Sequence, residues 1–219
     1  MTVLFLKPPG VYAPQDDTSC LTAALREETF APGVRVLDLC TGTGALAVAA
    51  ARRGARVTAV DTSVRAVLTC RLNARLAGVR IRAVRGDLLS AVGGERFDVI
   101  LGNPPYVPSP HPRLPRRGPA RAWEAGHDGR ALLDRICAEA PGRLRPGGVL
   151  LLVQSALSGV TPTLDALVRA GLDAQVTERR YVPFGPRLRE RAEWLRGRGL
   201  LPPGEDKEEL VVIRGEAAL

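Results

Sequence analysis

The sequence predicts an α/β domain, a mostly parallel seven-stranded sheet with helices on both faces. Three observations lead there. Short β-type runs alternate with helical patterns along the chain. Several of those runs (VRVLDL, VILG and GVLLLV) are continuously apolar, as strands buried on both faces must be. The first run closes on a glycine-rich turn that opens a helix, Asp38-Leu39-Cys40-Thr41-Gly42-Thr43-Gly44.

The elements follow in order. Residues 34–39 read as the first strand and 45–53 as a helix stopped at Gly54. Residues 56–60 form the second strand. A helix over 63–77 has Ser63 as its N-cap candidate and Gly78 as its stop. Strands are expected at 79–84 and 97–101, and a helix over 128–144, broken near Pro141-Gly142. A strand at 149–154, a helix at 163–170 and strands at 172–181 and 209–213 complete a Rossmann-like domain. That domain is expected to span 34–219, after a lead-in segment and helix over 1–33. Insertions near 104–126 and 183–206 break the rhythm, the second with a helix around 188–196.

Composition narrows the function classes. Of the 219 residues, 45% are hydrophobic and the mean hydropathy is zero, as in globular chains. No apolar run approaches the ~20 residues that cross a bilayer, and the opening residues do not form a signal segment. The expectation is a soluble cytoplasmic protein with no membrane partner. Cys20, Cys40, Cys70 and Cys137 are scattered, which argues against a disulfide framework or a zinc site. His111 and His127 are the only histidines, so chemistry built on histidine bases is poorly supplied. The net charge is +8, and only Lys7 and Lys207 among the basic residues are lysines. Such a balance fits an acidic or nucleic-acid partner, or the codon usage of a GC-rich genome.

The glycine turn, with Asp61 about 20 residues on, fits a nucleoside-binding fingerprint but does not separate NAD from S-adenosylmethionine. Asp38 tilts the choice. A carboxylate just ahead of the glycines repels a diphosphate, whereas it suits the ammonium and sulfonium of S-adenosylmethionine. A strand-end cap is the other role open to it. Asp61 ends the second strand and can accept from both ribose hydroxyls. Asp87, followed by Leu88 after the third strand, can accept from the adenine amino group or cap the next turn. Cys40, Gly42, Gly44 and Leu88 join these acids as cofactor-binding candidates, and S-adenosylmethionine is the expected cofactor.

The fourth strand ends in Asn103-Pro104-Pro105-Tyr106. The prolines fix φ and remove two backbone donors. What remains is a pair of acceptors, the Asn103 side-chain oxygen and the Pro104 carbonyl, beside the aromatic face of Tyr106. Two acceptors can hold both protons of an –NH₂ on an sp² carbon and stabilise positive charge developing on that nitrogen. No strong base is required before transfer. Asn103, Pro104, Pro105 and Tyr106 are therefore the catalytic candidates, and Asn103 also borders the cofactor.

These residues resemble the HemK-like class I methyltransferases, which modify the glutamine of the Gly-Gly-Gln motif in release factors. Their N-P-P-Y stands at Asn103 to Tyr106, and their glycine motif at Asp38 to Gly44. Cys40 departs from the pattern, since the family commonly has glycine there. Tyr12-Ala13-Pro14-Gln15-Asp16-Asp17-Thr18 resembles a Tyr-x-Pro-x-x-Asp-Thr segment of the single-domain archaeal and eukaryotic branch. That likeness implies that Thr18 approaches the cofactor. The run from Ala122 to Arg130 is similar to the same branch. Bacterial members carry an additional N-terminal helical domain, for which 33 residues are too few.

The resemblance implies an N-methyltransferase acting on a glutamine side chain of a release-factor-like protein, with a small activator subunit as a further partner. The alternatives are methylation of an exocyclic adenine amine in nucleic acid, and small-molecule N-methylation. A nicotinamide oxidoreductase would lack a Ser-Tyr-Lys or histidine-centred set, and a binding module would leave the motifs unused. Arg113, Arg116, Arg117 and Arg121, and a run of seven arginines over 179–198 with only Glu190 and Glu193 counted against them, are expected to meet the acceptor or a partner.

Overall fold

The computed structural model describes residues 5–115 and 118–219. Seven strands form one sheet: β1 (Arg35–Leu39), β2 (Arg56–Asp61), β3 (Ile81–Arg85), β4 (Phe97–Gly102), β5 (Leu144–Ser155), β6 (Leu172–Pro183) and β7 (Lys207–Ala217). Their order is β3-β2-β1-β4-β5-β7-β6. The first five are parallel, and β7 runs antiparallel to both β5 and β6. Among the described residues, six α-helices cover the sheet: α1 (Asp16–Glu27), α2 (Ala45–Arg52), α3 (Val64–Leu76), α4 (Leu133–Glu139), α5 (Val160–Arg169) and α6 (Pro186–Gly197).

The central strands are apolar because both their faces are covered. Leu37, Ile100 and Leu151 have no exposed surface. Truncating such a leucine to alanine costs about 2–5 kcal/mol. Ala47 and Ala50 bring α2 close to the sheet, and both are fully buried. The Ser63 side chain accepts from the Ala66 amide at 3.3 Å and starts α3, as its N-cap position suggested.

Gly44 is fixed by packing. It caps α2 with φ +84, and a Cβ there would lie 2.7 Å from Cys70 Sγ and 3.1 Å from Cys70 Cα on α3. Gly44→Ala therefore meets a left-handed backbone and a steric clash together. The expected loss is about 2–4 kcal/mol, a fall in Tm of roughly 5–15 °C, read by thermal melting. A change of under about 2 °C would contradict the tight α2–α3 contact.

The helix expected over 128–144 is much shorter. Only Leu133–Glu139 is α-helical, and Leu144 already opens β5 opposite Phe97. Gly126 and Gly129 have φ of +84 and +74, and Asp128 Oδ1 accepts from the Arg130 amide at 3.0 Å, so a turn replaces the first helical turns. Helix α5 instead starts earlier than expected, at Val160, with Pro162 in its first turn where the missing donor costs nothing. Strands β6 and β7 are longer than expected. The stretch over 183–206 becomes the connection at their tip, and it carries α6.

Candidate active site

The carboxyl ends of β1 to β4 open into a cavity of about 1170 Å³. This is where open α/β sheets place ligands. Cys40 and Gly42 follow β1 on its wall, Asp61 ends β2, Asp87 and Leu88 follow β3, and Asn103 to Tyr106 follow β4. Tyr12 and Asp17 close it from the lead-in side, and Trp123, Leu188 and Glu208 from the far side.

The glycine turn is shaped for close approach. Gly42 has φ +52, and a Cβ on it would stand 3.2 Å from the Tyr12 carbonyl. Its amide donates to Asp61 Oδ2 at 3.0 Å, while Ser63 N donates to Asp61 Oδ1 at 2.8 Å. Asp61 is thus locked in place with lone pairs left for a diol. Burial raises its pKa, opposed by those amide bonds. Cys40 has φ +57, the left-handed region that favours glycine. That conformation explains why the resembled family commonly has glycine there. Burial pushes the Cys40 thiol well up, so it is not a ready nucleophile.

Asp38 lies behind the turn, off the cavity wall and fully buried. Its Oδ2 accepts from Thr41 Oγ1 at 2.5 Å and from the Ala47 amide at 3.2 Å, so it ties the turn to α2. Its Oδ1 has no hydrogen-bond partner among the described residues. Burial pushes Asp38 up to about 7. Gly44 also stays off the wall. Asp87 makes no cap. It takes a bidentate pair from Arg135 at 3.1 and 2.9 Å on a half-exposed surface. Leu88 is buried beside it with φ +47.

The Asn-Pro-Pro-Tyr turn is held by a buried network centred on Asp17. Tyr12 and Tyr106 hydroxyls donate to Asp17 Oδ2 at 2.5 and 3.0 Å. Thr18 N and Thr18 Oγ1 donate to Asp17 Oδ1 at 2.5 and 3.1 Å. Asn103 Nδ2 then reaches Thr18 Oγ1 at 3.4 Å. Because the amide nitrogen points to Thr18, Asn103 Oδ1 is turned the other way and stays available as an acceptor. Thr18 itself does not line the cavity; it acts through Asn103. Burial and the Asp17 and Glu208 charges push the Tyr106 hydroxyl well up, so it stays a donor.

Three functional side chains escaped the sequence reading. Asp17 was legible only as the acid of the Tyr-x-Pro-x-x-Asp-Thr likeness, with no role of its own, Arg135 as one helix charge, and Glu208 as an acid opening an apolar strand. The arginine run also looks different in space. Arg179 pairs with Glu209, Arg180 with Glu178, Arg187 with Glu190 and Arg191 with Glu124. Four of its seven positive charges are thus met by acids, three of those acids from outside the run. Arg187 also lies over the Trp123 ring at 4.7 Å, and His127 stacks on Trp194, which seats α6 on the segment after the turn. Arg121 donates to Thr62 Oγ1 at 2.8 Å, and Arg113 is exposed. Arg116 and Arg117 lie outside the described residues.

The methyltransferase small domain family matches residues 2–112, half of the chain. The chain belongs to that family. It is therefore an S-adenosylmethionine-dependent methyltransferase of class I fold. It is 36% identical over 177 residues to a candidate protein N5-glutamine methyltransferase of Methanocaldococcus jannaschii, covering 80% of this chain and 88% of that one. It is 41% identical over 172 residues to the release factor glutamine methyltransferase of Deinococcus radiodurans, covering 74% of this chain and 60% of that one. The match to bacterial relatives of this kind thus spans only part of their length. Among solved structures, the E. cuniculi Mtq2–Trm112 complex responsible for methylation of the eRF1 termination factor superposes with a TM-score of 0.66 at 25% identity. That alignment covers 95% of this chain and 99% of the other.

The residues present fit S-adenosylmethionine. The anchored Asp61 carboxylate suits a ribose, and the left-handed Gly42 and Cys40 let the backbone of the turn come close to a ligand. Among the described residues, no helix is long and apolar enough to cross a membrane.

Proposed function

We propose that this methyltransferase modifies the side-chain nitrogen of a glutamine in a translation release factor or a similar protein, in the cytoplasm. The observation that carries this reading is the orientation of Asn103. The Thr18–Asp17 network engages its nitrogen and leaves its Oδ1 without a partner among the described residues, on a wall that Pro104 also lines, so that this oxygen and the Pro104 carbonyl are the acceptors for both protons of a planar –NH₂. The relatives with glutamine-methyltransferase names support it.

Bound S-adenosylmethionine supplies an electrophilic methyl group. Asp61 holds the ribose, and Leu88 and Asp87 border the adenine. Cys40 and Gly42 let the backbone approach the methionine end, with Asp38, Gly44 and Thr18 as supports behind them. Asn103 and Pro104 O orient the acceptor nitrogen, which can remove up to about 7–11 kcal/mol of barrier in well-aligned cases. Pro105 and Tyr106 keep the turn rigid, Tyr106 through Asp17.

The E. cuniculi relative is a complex with Trm112. By the same reading, this chain takes a small activator, and the exposed stripe Val64, Leu68, Leu72 and Leu76 along α3 is an apolar face available to it. The neutralised arginines of α6 and β6 disfavour a nucleic-acid acceptor.

Two experiments test the site. Labelled S-adenosylmethionine should mark a release factor carrying Gly-Gly-Gln, and a Gln→Glu version of that factor should stay unlabelled. Calorimetry on Asp61→Ala should show cofactor affinity lowered about 10–100-fold, the value of hydrogen bonds to a charged group. An unchanged affinity would remove Asp61 from the ribose, and NAD binding as tight as S-adenosylmethionine would overturn the choice of cofactor.

A further inference from the structure

The inner wall of the cavity carries carboxyls that are held by donors, with one exception. Asp17 takes two tyrosine hydroxyls and both donors of Thr18. Asp61 takes two backbone amides. Glu124 takes Ser109 Oγ and Arg191. At the exposed rim, Asp87 and Glu190 are in ion pairs with arginines. Glu208 differs. It lines the cavity, is 9% exposed, makes no ion pair among the described residues, and its Oε1 is buried with no hydrogen-bond partner among them. The sheet register brings it to the same edge as the Asn-Pro-Pro-Tyr turn. Gly102, just before Asn103, pairs with Leu152 of β5, and Ser155 of β5 pairs with Leu210 of β7.

We propose that Glu208 is the proton acceptor of the methyl transfer, its carboxyl taking the proton that the acceptor nitrogen must lose. This rests on the reading of the site as an amide methyltransferase. As the N–C bond forms, the C–S bond breaks and its electron pair stays on sulfur. The nitrogen that brought two hydrogens then sheds one of them. That proton passes to the Glu208 carboxylate, and the neutral acid later returns it to water at the mouth of the cavity.

Among the described residues, Asp16 also lines the cavity without a donor, but it is open to solvent, and the histidines and tyrosines are unsuited to the role. His111 and His127 do not line it, and His127 is stacked on Trp194. Tyr12 and Tyr106 are buried donors to Asp17, with hydroxyls pushed up by burial. The titratable groups facing Glu208 are Asp17 from α1, Tyr12 from the lead-in segment and Tyr106 from the turn, with the Ser155 hydroxyl at the end of β5. Burial pushes Glu208 up to about 7, opposed by Ser155 and reinforced by the Asp17 charge. A base serves best with a pKa near the working pH.

The test is the pH profile of kcat for the wild type and Glu208→Gln, with labelled product mapped in both. The base must be ionised, so wild-type kcat should fall as pH drops through about 7. Glu208→Gln should lose kcat on the order of 100-fold, lose that limb, and keep its cofactor affinity; Glu208→Asp should restore the limb. Infrared difference spectra of the free proteins give a readout apart from turnover. Two carboxylic-acid carbonyl bands, from Glu208 and from the buried Asp38, should vanish from the wild type as pH rises through about 7, and one of them should be missing from Glu208→Gln. Glu208→Gln within about threefold of wild-type kcat, the same limb in both proteins, or the same titrating bands in both would overturn the proposal. If the wild-type label maps to glutamine while the limb persists in Glu208→Gln, this proposal alone fails. A label elsewhere would sink the amide reading as well.

Discussion

Asn103→Ala is expected to lower kcat by a factor on the order of 100–1000 while leaving cofactor affinity nearly unchanged. That is the usual effect of removing one preorganised polar group aimed at charge developing in a transition state. Asn103 Oδ1 is held ready by the contact of its own nitrogen with Thr18. No reorganisation is needed when positive charge appears on the acceptor nitrogen, so the loss should fall on kcat more than on binding. The cofactor keeps Asp61 and the glycine turn in this variant. Single-turnover kinetics with calorimetry separate the two quantities. Near-normal turnover would remove Asn103 from the chemistry. A loss of cofactor affinity as large as the loss of rate would assign it to the cofactor instead.

Asp17→Ala has the largest expected effect on stability. The substitution strands the Tyr12 and Tyr106 hydroxyls and the Thr18 amide, which now converge on one buried carboxylate. Each unsatisfied buried group costs about 1–3 kcal/mol, so the expected loss is about 3–5 kcal/mol after some relaxation, roughly 10 °C in Tm. Asp17→Asn keeps one acceptor oxygen and should lose about half as much. Denaturant titration reads both. A loss under about 1 kcal/mol for Asp17→Ala would mean that the tyrosines are satisfied elsewhere, and that the turn does not depend on this hub.

The sheet was legible because its strands are buried on both faces and announce themselves as mostly apolar runs, as 34–39 and 149–154 do despite Arg35, Asp38 and Gln154. Acids that directly follow such runs, like Asp61 and Asp87, were legible for the same reason. The stretch over 128–144 misled because Leu132, Leu133, Ile136, Cys137 and Ala140 carry a helical period, whereas the turn at its start is set by positive φ at Gly126 and Gly129. Arg145-Pro146-Gly147-Gly148, between the helix expected to 144 and the strand expected from 149, lies within β5. Asp17 and Glu208 stayed hidden for a different reason. They stand near opposite ends of the chain and meet only once β7 inserts between β5 and β6. The arginine run misled because a local charge sum cannot see Glu124 or Glu209.

The central claim is that the transferred methyl lands on an amide nitrogen of glutamine. The direct measurement is tandem mass spectrometry of a release factor after incubation with the purified chain and isotopically labelled S-adenosylmethionine, alone and with any co-purified activator. The account predicts one labelled methyl on the side chain of the glutamine in Gly-Gly-Gln, with none when Asn103→Ala replaces the wild type. Labelled adenine in added nucleic acid, with no label on the release factor, would contradict it.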